Sequence, residues 1–479
     1  MKFGTSGLRG LVTDLEGHAT ALYTVAFARH LLAAGLIAPG DRVYIGADYR
    51  PSSPDIAATV IGALQRAGLN PVDCGAIPTP ALALYAMSQG CASLMITGSH
   101  IPADRNGIKF YRPDGEIDKQ DESEITRIAG EIDHLIVDLT PGAAVSEESE
   151  AKALFVSRNE GLLAKGALAG LKVGVYQHST VARDLMVEVI AGYGADVVLL
   201  GRSDHFIPVD TEAVSPETVD LLRGWAKHRQ LDVIVSADGD GDRPLVADET
   251  GTPLRGDLLG LLTARFLGAR VVVTPVTSNS GIEAADDYDV SRTRVGSPFV
   301  IAAMNDALAA GKTGVMGFEA NGGVLTGSDF ASGQFGGVLR ALPTRDSFLP
   351  VLAVLYLSKQ QEKPLSTLVS GFGLPVAVAD RLENFSSQTS TALMAHLRAS
   401  PENLSVFFAT LGPVARVSDI DGLRVTLTDG AIVHLRPSGN APEMRCYVEA
   451  RDEATALLLL KKGLSIVRGW DVAAESIGP

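Results

Sequence analysis

Three aspartates stand at alternate positions, Asp238, Asp240 and Asp242, in the run Ser236-Ala-Asp-Gly-Asp-Gly-Asp-Arg243. In an irregular glycine-spaced loop all three carboxylates can face one hard cation, and an oxygen-only set suits Mg²⁺ or Ca²⁺ rather than zinc. Glu249 falls at the twelfth position of an EF-hand loop counted from Asp238, but Arg243 stands where that loop needs glycine. The approach Val233-Ile-Val-Ser236 also reads as a strand, not a helix, so Mg²⁺ is the expected ion. Three carboxylates nearly neutralise the ion and leave a place for a phosphoryl oxygen, which Arg243 could steady.

A second chemical segment, Thr97-Gly-Ser-His-Ile-Pro102, presents Ser99 and His100 directly after an apolar strand. It is not a nucleophile elbow, since Gly-x-Ser-x-Gly is absent. A backbone-bonded turn pair is the plain alternative. The nearby Asn106-Gly-Ile-Lys109 is expected to be a hairpin turn that brings Lys109 back to the same place, as a phosphate-binding cation or, if desolvated, a general acid or base. The alternative for Lys109 is an exposed strand lysine.

Two further segments suit phosphate. Phe3-Gly-Thr-Ser-Gly-Leu-Arg-Gly10 combines flexible glycines, hydroxyls and Arg9, although a simple N-terminal turn has the same composition. Arg436-Pro-Ser-Gly-Asn-Ala-Pro442, followed by Arg445, offers two guanidinium groups, the Ser438 hydroxyl, the Gly439 backbone and the Asn440 amide. Because arginine grips phosphate with two parallel bonds, a phosphate cradle is preferred here over a solvated surface turn.

The elements that must hold these loops follow a repeated grammar. A helix near 18–36, a strand at 42–46, a helix at 54–69 and a strand at 92–97 indicate a parallel, helix-covered sheet. After a polar stretch at 140–150 a second series runs through strands at 171–176, 195–200 and 232–236, with a helix at 216–228 and a hairpin turn at 248–251. A third has helices at 257–267 and 299–309 and strands at 270–274, 291–295 and 314–318. From about residue 374 a helix at 387–399, strands between 414 and 449 and a helix at 453–467 read as a separate α+β domain. The expected domains are therefore 1–145, 146–252, 253–370 and 371–479. In the first three a strand ends in a polar loop: Thr97 to Pro102, Ser236 to Arg243, and Gly317-Phe-Glu-Ala-Asn-Gly-Gly323. Ligands collect beyond the carboxyl ends of such strands, so the loops are expected to converge on one central cleft.

Composition supports a multidomain globular protein. The 479 residues exceed one ordinary core, and 46% are apolar and 20% charged. A net charge of −15 opposes nucleic acid and anionic membrane as partners. Three cysteines without metal-type spacing fit a reducing compartment. No run approaches the ~18 apolar residues of a membrane span, and the N-terminus lacks a signal-peptide core, so the expected location is cytoplasmic.

With these segments in hand, the chain resembles the α-D-phosphohexomutase superfamily across all four domains in order. That family's serine loop, Thr-Ala-Ser-His-Asn-Pro followed by Asn-Gly-x-Lys, appears here as Thr97 to Pro102 and Asn106 to Lys109. Its metal loop is matched in full by Asp238 to Arg243. The common Arg-x-Ser-Gly-Thr-Glu-Pro becomes Arg436 to Pro442, without its carboxylate, and the usual Gly-Glu-x-Ser-Gly-His becomes Gly317 to Gly323, with Glu319 displaced by one residue and Gly323 in the histidine's place.

The resemblance implies three similar mixed-sheet α/β domains plus a C-terminal α+β domain around a central cleft. It implies a phosphorylated Ser99 that holds Mg²⁺ together with Asp238, Asp240 and Asp242, and a catalytic group of Ser99, His100, Lys109, Arg9 and Arg243. Substrate contacts fall to Glu319, Asn321, Arg436, Ser438, Gly439, Asn440 and Arg445. The implied partners are hexose phosphates, mannose phosphates first and glucose or glucosamine phosphates next, turned over through a hexose 1,6-bisphosphate that also serves as activator. A monomer or homodimer is expected. A phosphosugar-binding protein without transfer is the non-enzymatic alternative, and His178 and Ser179 receive no role.

Overall fold

The computed structural model describes residues 2–3, 7–132, 138–285, 288–331, 337–438 and 442–476. Two compact units emerge, Met1–Val273 with Gly296–Gly371, and Thr274–Val295 with Phe372–Pro479.

The first unit contains three sheets. In the first, Arg42–Ala47 lies parallel to both Asn70–Ala76 and Ala92–Ile96, and Arg105–Arg112 returns antiparallel beside Ala92–Ile96. The second runs Asp196–Arg202, Lys172–His178, Val233–Ala237, Pro244–Ala247, parallel until its last, antiparallel pair. In the third, Val271–Pro275 and Val315–Phe318 are parallel, then Val324–Thr326 and Leu342–Asp346 pair antiparallel.

One device therefore recurs three times. A wholly buried strand, Ala92–Ile96, Val233–Ala237 or Val315–Phe318, ends in a polar loop and is followed by a strand that turns back beside it. These continuous apolar runs are what strands covered on both faces require. Each buried Leu, Ile or Val contributes about 1.5–3 kcal/mol, so the loops stand on rigid supports.

The expected Asn106 to Lys109 hairpin is corrected: these residues lie inside the strand Arg105–Arg112. Asn-Gly is a turn signal only when the chain can reverse there, and here Asn106 pairs with Gly10 while its side-chain amide donates to Ser52 and Ser53. Gly107 answers a close approach instead, since a Cβ there would meet the Leu8 carbonyl oxygen at 2.5 Å. Lys109 reaches the site by strand alternation. The strand expected at 291–295 is observed at Asp289–Thr293.

The second unit is built on an antiparallel sheet ordered Val376–Glu383, Glu443–Ala450, Ile432–Pro437, Leu423–Leu427, Val414–Ser418. Leu423, Val425 and Leu427 alternate inward with period two and join a core that includes Leu393 and Leu397 of Ser387–Ala399 and Leu459 of Glu453–Ser476. Ser386 caps Ser387–Ala399 by accepting from the Thr389 amide, which fixes where that helix begins. Among the described residues no helix is long and apolar enough to cross a membrane.

Candidate active site

Ser99 follows the strand Ala92–Ile96 with φ at 56°, a left-handed conformation that non-glycine residues rarely adopt, and it is fully buried. Its amide donates to Thr97 Oγ1 at 2.7 Å, and its own Oγ lies 2.5 Å from Asp238 Oδ2. His100 Nδ1 is 3.2 Å from Ser99 Oγ and accepts from Arg243 Nη1 at 3.0 Å. Burial first, then Arg243, lowers the His100 imidazole to about 3, so the ring is neutral.

The metal loop lies between Val233–Ala237 and Pro244–Ala247, where Asp238, Asp240 and Asp242 are all fully buried. One carboxylate oxygen from each lies within 4.8 Å of the others. Asp238 Oδ1 accepts from the amides of Asp242 and Arg243, and Ser347 Oγ donates to the Gly241 carbonyl, which pins the loop. Burial first, then repulsion from Asp240 and Asp242, pushes the Asp238 carboxyl well above its ordinary range. Against the cost of burial, Arg345, Lys109 and Arg243 hold Asp242 well below that range.

Two of these oxygens, Asp240 Oδ1 and Asp242 Oδ1, are buried without a hydrogen-bond partner. Orphaned buried carboxylate oxygens beside a repelling third carboxylate are what a divalent cation would satisfy, so the residues fit Mg²⁺. Lys109 Nζ lies 2.5 Å from both Asp240 Oδ2 and Asp242 Oδ2. Thr79 also donates its hydroxyl to Asp240.

Arg9 joins this group through its field. Burial, then Arg243 and Arg345, lowers its guanidinium to about 10, and its Nη2 is buried without a hydrogen-bond partner. The Nε of Arg243 is likewise buried without a hydrogen bond, 3.7 Å from Asp242 Oδ1. Cationic donors left open around a buried serine are suited to an incoming anion.

In the third loop Glu319 is buried, and Arg345 joins it to the metal loop: Nε lies 3.0 Å from Asp242 Oδ2 and Nη1 lies 3.1 Å from Glu319 Oε2. Asn321 holds its own loop, with Oδ1 accepting from the Gly323 amide at 3.0 Å and its carbonyl from Thr211. The first unit thus brings together Ser99, His100, Lys109, Arg9, Arg243, Glu319 and the three aspartates. Sequence reasoning missed Arg345; its signal was the empty position at Gly323, which leaves room for another side chain.

The second unit carries the remaining cations. Arg436 and Arg445 are direct cross-strand partners, and Arg381 is the partner of Arg445 on its other side, so three arginines form a row across adjacent strands. Arg436 Nε lies 2.8 Å from Asp421, and Arg445 Nε lies 2.9 Å from Glu443. The Ser438 amide donates to the Glu443 carbonyl at 3.0 Å. Gly439 and Asn440 lie outside the described residues.

His178 and Ser179 have structural partners. His178 Nε2 donates to the Ala237 carbonyl at 2.8 Å, and Ser179 Oγ accepts from the Ile207 amide at 2.7 Å, which anchors the loop bearing Phe206.

A buried serine hydroxyl on a triad of buried carboxylates, ringed by cations and set on three returning-strand sheets, defines a phosphoryl-transfer enzyme of the phosphohexomutase class. Matches to the phosphoglucomutase/phosphomannomutase family cover α/β/α domain I at residues 1–135, domain II at 156–251, domain III at 255–372 and the C-terminal domain at 385–462. The chain is 56% identical over 468 residues to a phosphomannomutase of Sinorhizobium fredii, covering 97% of this chain and 98% of that one. It is 42% identical over 471 residues to a phosphomannomutase of Salmonella muenchen, covering 98% and 96%. The crystal structure of a phosphoglucomutase/phosphomannomutase family protein from Burkholderia thailandensis shares the fold, with a TM-score of 0.75 at 21% identity over 97% of each chain. The chain belongs to the phosphoglucomutase/phosphomannomutase family and is an isomerase acting on hexose phosphates.

Proposed function

We propose that this protein interconverts mannose 1-phosphate and mannose 6-phosphate through a phosphorylated Ser99 and a bound hexose 1,6-bisphosphate. The observation that carries the reading is the 2.5 Å approach of Ser99 Oγ to Asp238 Oδ2 within a triad that has unsatisfied oxygens. The names of the two full-length relatives favour mannose over glucose phosphates.

In the first half-reaction the free hydroxyl oxygen of the hexose phosphate bonds to phosphorus as the bond to Ser99 Oγ breaks. Lys109 exchanges the proton of that hydroxyl, and Arg9 and Arg243 receive the transferred phosphoryl oxygens. His100 Nδ1, which accepts from Arg243 Nη1, holds that guanidinium beside the phosphoryl group. The bisphosphate then presents its other phosphate to Ser99 and returns a phosphoryl group to it. Asp238, Asp240, Asp242 and Ser99 would hold Mg²⁺, which supplies charge neutralisation at the phosphoryl group when bound.

Glu319, oriented by Arg345, accepts from sugar hydroxyls, and Asn321 supports that loop and contacts the sugar beside it. The phosphate not being transferred is assigned to Arg436, Ser438, Gly439, Asn440 and Arg445, which must accept either end of the sugar. The free thiols of Cys74, Cys91 and Cys446 support a cytoplasmic enzyme.

The test is turnover of mannose 1-phosphate and glucose 1-phosphate with Mg²⁺ and a trace of hexose 1,6-bisphosphate. A higher kcat/KM for mannose 1-phosphate is expected. A higher value for glucose 1-phosphate would reassign the sugar, and turnover of neither would move the assignment to an amino-sugar phosphate.

A further inference from the structure

The strained backbone of Ser99 needs a restraint, and the strand neighbouring its own supplies one. Arg42–Ala47 pairs in parallel with Ala92–Ile96, so the residues just past its end, Asp48 and Arg50, emerge beside the serine loop. Arg50 is almost completely buried. Its Nη2 donates to the carbonyls of Ser99 at 3.0 Å and Ile101 at 2.6 Å, and its Nη1 to those of Pro102 at 2.7 Å and Arg105 at 2.8 Å. One guanidinium thus binds three carbonyls of the serine loop and that of Arg105, which opens the returning strand, using the fixed fork geometry of arginine.

Arg50 is itself held. Its Nε pairs with Asp48 Oδ2 at 3.2 Å, the same oxygen that accepts from Thr97 Oγ1, while Thr97 Oγ1 in turn accepts from the Ser99 amide. Phe206 lies over the guanidinium with its ring centroid 4.1 Å from the Arg50 Cζ. Two glycines make room. A Cβ on Gly98 would fall 2.7 Å from the Arg50 Cζ, and one on Gly239, between the metal-loop aspartates, would fall 2.8 Å from the Ser99 carbonyl oxygen and 3.0 Å from the Phe206 ring.

We infer that Arg50, clamped between Asp48 and Phe206, is a positioning residue that locks Ser99 in its left-handed conformation and keeps Oγ on Asp238. It hydrogen-bonds neither the hydroxyl nor the metal-loop carboxylates; it holds the loop through its carbonyls, while its charge is felt by Asp240 and Asp238. The inference rests on the reading that Ser99 carries the phosphoryl group. The expected consequence is on the chemical step, because a nucleophile displaced by about 1 Å loses on the order of 100-fold in rate.

The experiment uses the full chain with Arg50→Lys, Arg50→Met and Phe206→Leu. Single-turnover transfer from Ser99 to mannose 1-phosphate is followed by intact-mass measurement, alongside steady-state kcat and KM and thermal melting. Arg50→Lys keeps the charge but cannot reach four carbonyls, so transfer and kcat should fall about 100-fold with KM within about threefold of the parent. Phe206→Leu, which leaves every hydrogen bond in place, should lower kcat by about tenfold as the clamp loosens and so tests the idea if the Arg50 variants fail to fold. A lower melting temperature with unchanged transfer rate per folded chain would reduce Arg50 to a structural residue and overturn the inference. Absence of phosphate on Ser99 in the active parent enzyme would instead sink the phosphoserine reading, and this inference with it.

Discussion

A Cβ on Gly323 would fall 2.6 Å from Cδ of Arg345. The two residues are therefore complementary: the glycine makes the space through which Arg345 reaches Asp242 and Glu319. Arg345 is buried, and despite the desolvation that opposes it, Asp242 and Glu319 raise its guanidinium well above the ordinary range. The sugar loop and the metal loop are in this way coupled by one side chain.

Gly323→Ala should accordingly displace Arg345 and separate the two loops. The overpacking cost is about 1–3 kcal/mol, and the misplaced Glu319 should raise KM for the sugar phosphate more than it lowers kcat. Thermal melting and steady-state kinetics on the same preparation check this. Unchanged KM with a lowered melting temperature would show that Arg345 does not orient Glu319.

Much of the site was legible in the sequence because its chemistry is local. The spacing of Asp238, Asp240 and Asp242 points to a cation within a few residues, whereas Ser99 alone reads as a turn residue and its role is implied only by the family resemblance of its loop. Arg345 and Arg50 declare nothing locally, since each acts on loops far away in sequence and its value depends on tertiary placement. Asn106 misled for the opposite reason: Asn-Gly is a strong local turn signal, overruled here by pairing to Gly10 and the close approach of Gly107 to Leu8. The alternation of elements revealed the helices and strands, and the mixed sheets implied by the family resemblance are those the antiparallel return strands make.

Ser99→Ala should abolish turnover while retaining weak binding of mannose 1-phosphate. Alanine leaves the backbone strain as it is and removes the oxygen on Asp238. Intact-mass measurement should find no phosphate on the variant, and turnover at the parental rate would exclude the phosphoserine route.

Removal of divalent cation by a chelator should stop activity, and Mg²⁺ should restore it. Asp240→Asn provides a readout independent of activity: calorimetric Mg²⁺ affinity should fall by at least tenfold, because one anionic ligand is lost from a site of three. Unchanged affinity would place the ion elsewhere.

Arg436→Ala should raise KM for mannose 1-phosphate by about tenfold or more with a smaller effect on kcat, since a charged hydrogen bond to phosphate contributes about 1.5–3 kcal/mol and serves ground and transition states alike. It also leaves Asp421 without its 2.8 Å partner. Asp421→Asn, which keeps Arg436, should leave KM nearly unchanged; an equal rise in both variants would trace the effect to the broken pair rather than to lost phosphate contact.

Two buried histidines lose part of their contribution to stability in acid. Burial first lowers His178 and His434 to about 4 from the ordinary 6.5, with Nε2 of each donating to a backbone carbonyl, Ala237 for His178 and Asp421 for His434. At these two sites the folded chain therefore binds fewer protons than the unfolded chain between pH 6.5 and 4, so their contribution to stability rises with pH across that window and is lost as pH falls through it. The slope approaches about 1.4 kcal/mol per histidine per pH unit. Calorimetric melting should show a falling transition temperature from pH 7 to pH 5. His434→Gln retains a side-chain N–H donor but cannot titrate, so it should flatten the pH dependence of the transition that unfolds the C-terminal sheet while costing stability at pH 7. A slope unchanged from the parent would show that His434 is not the group whose protonation opens that core.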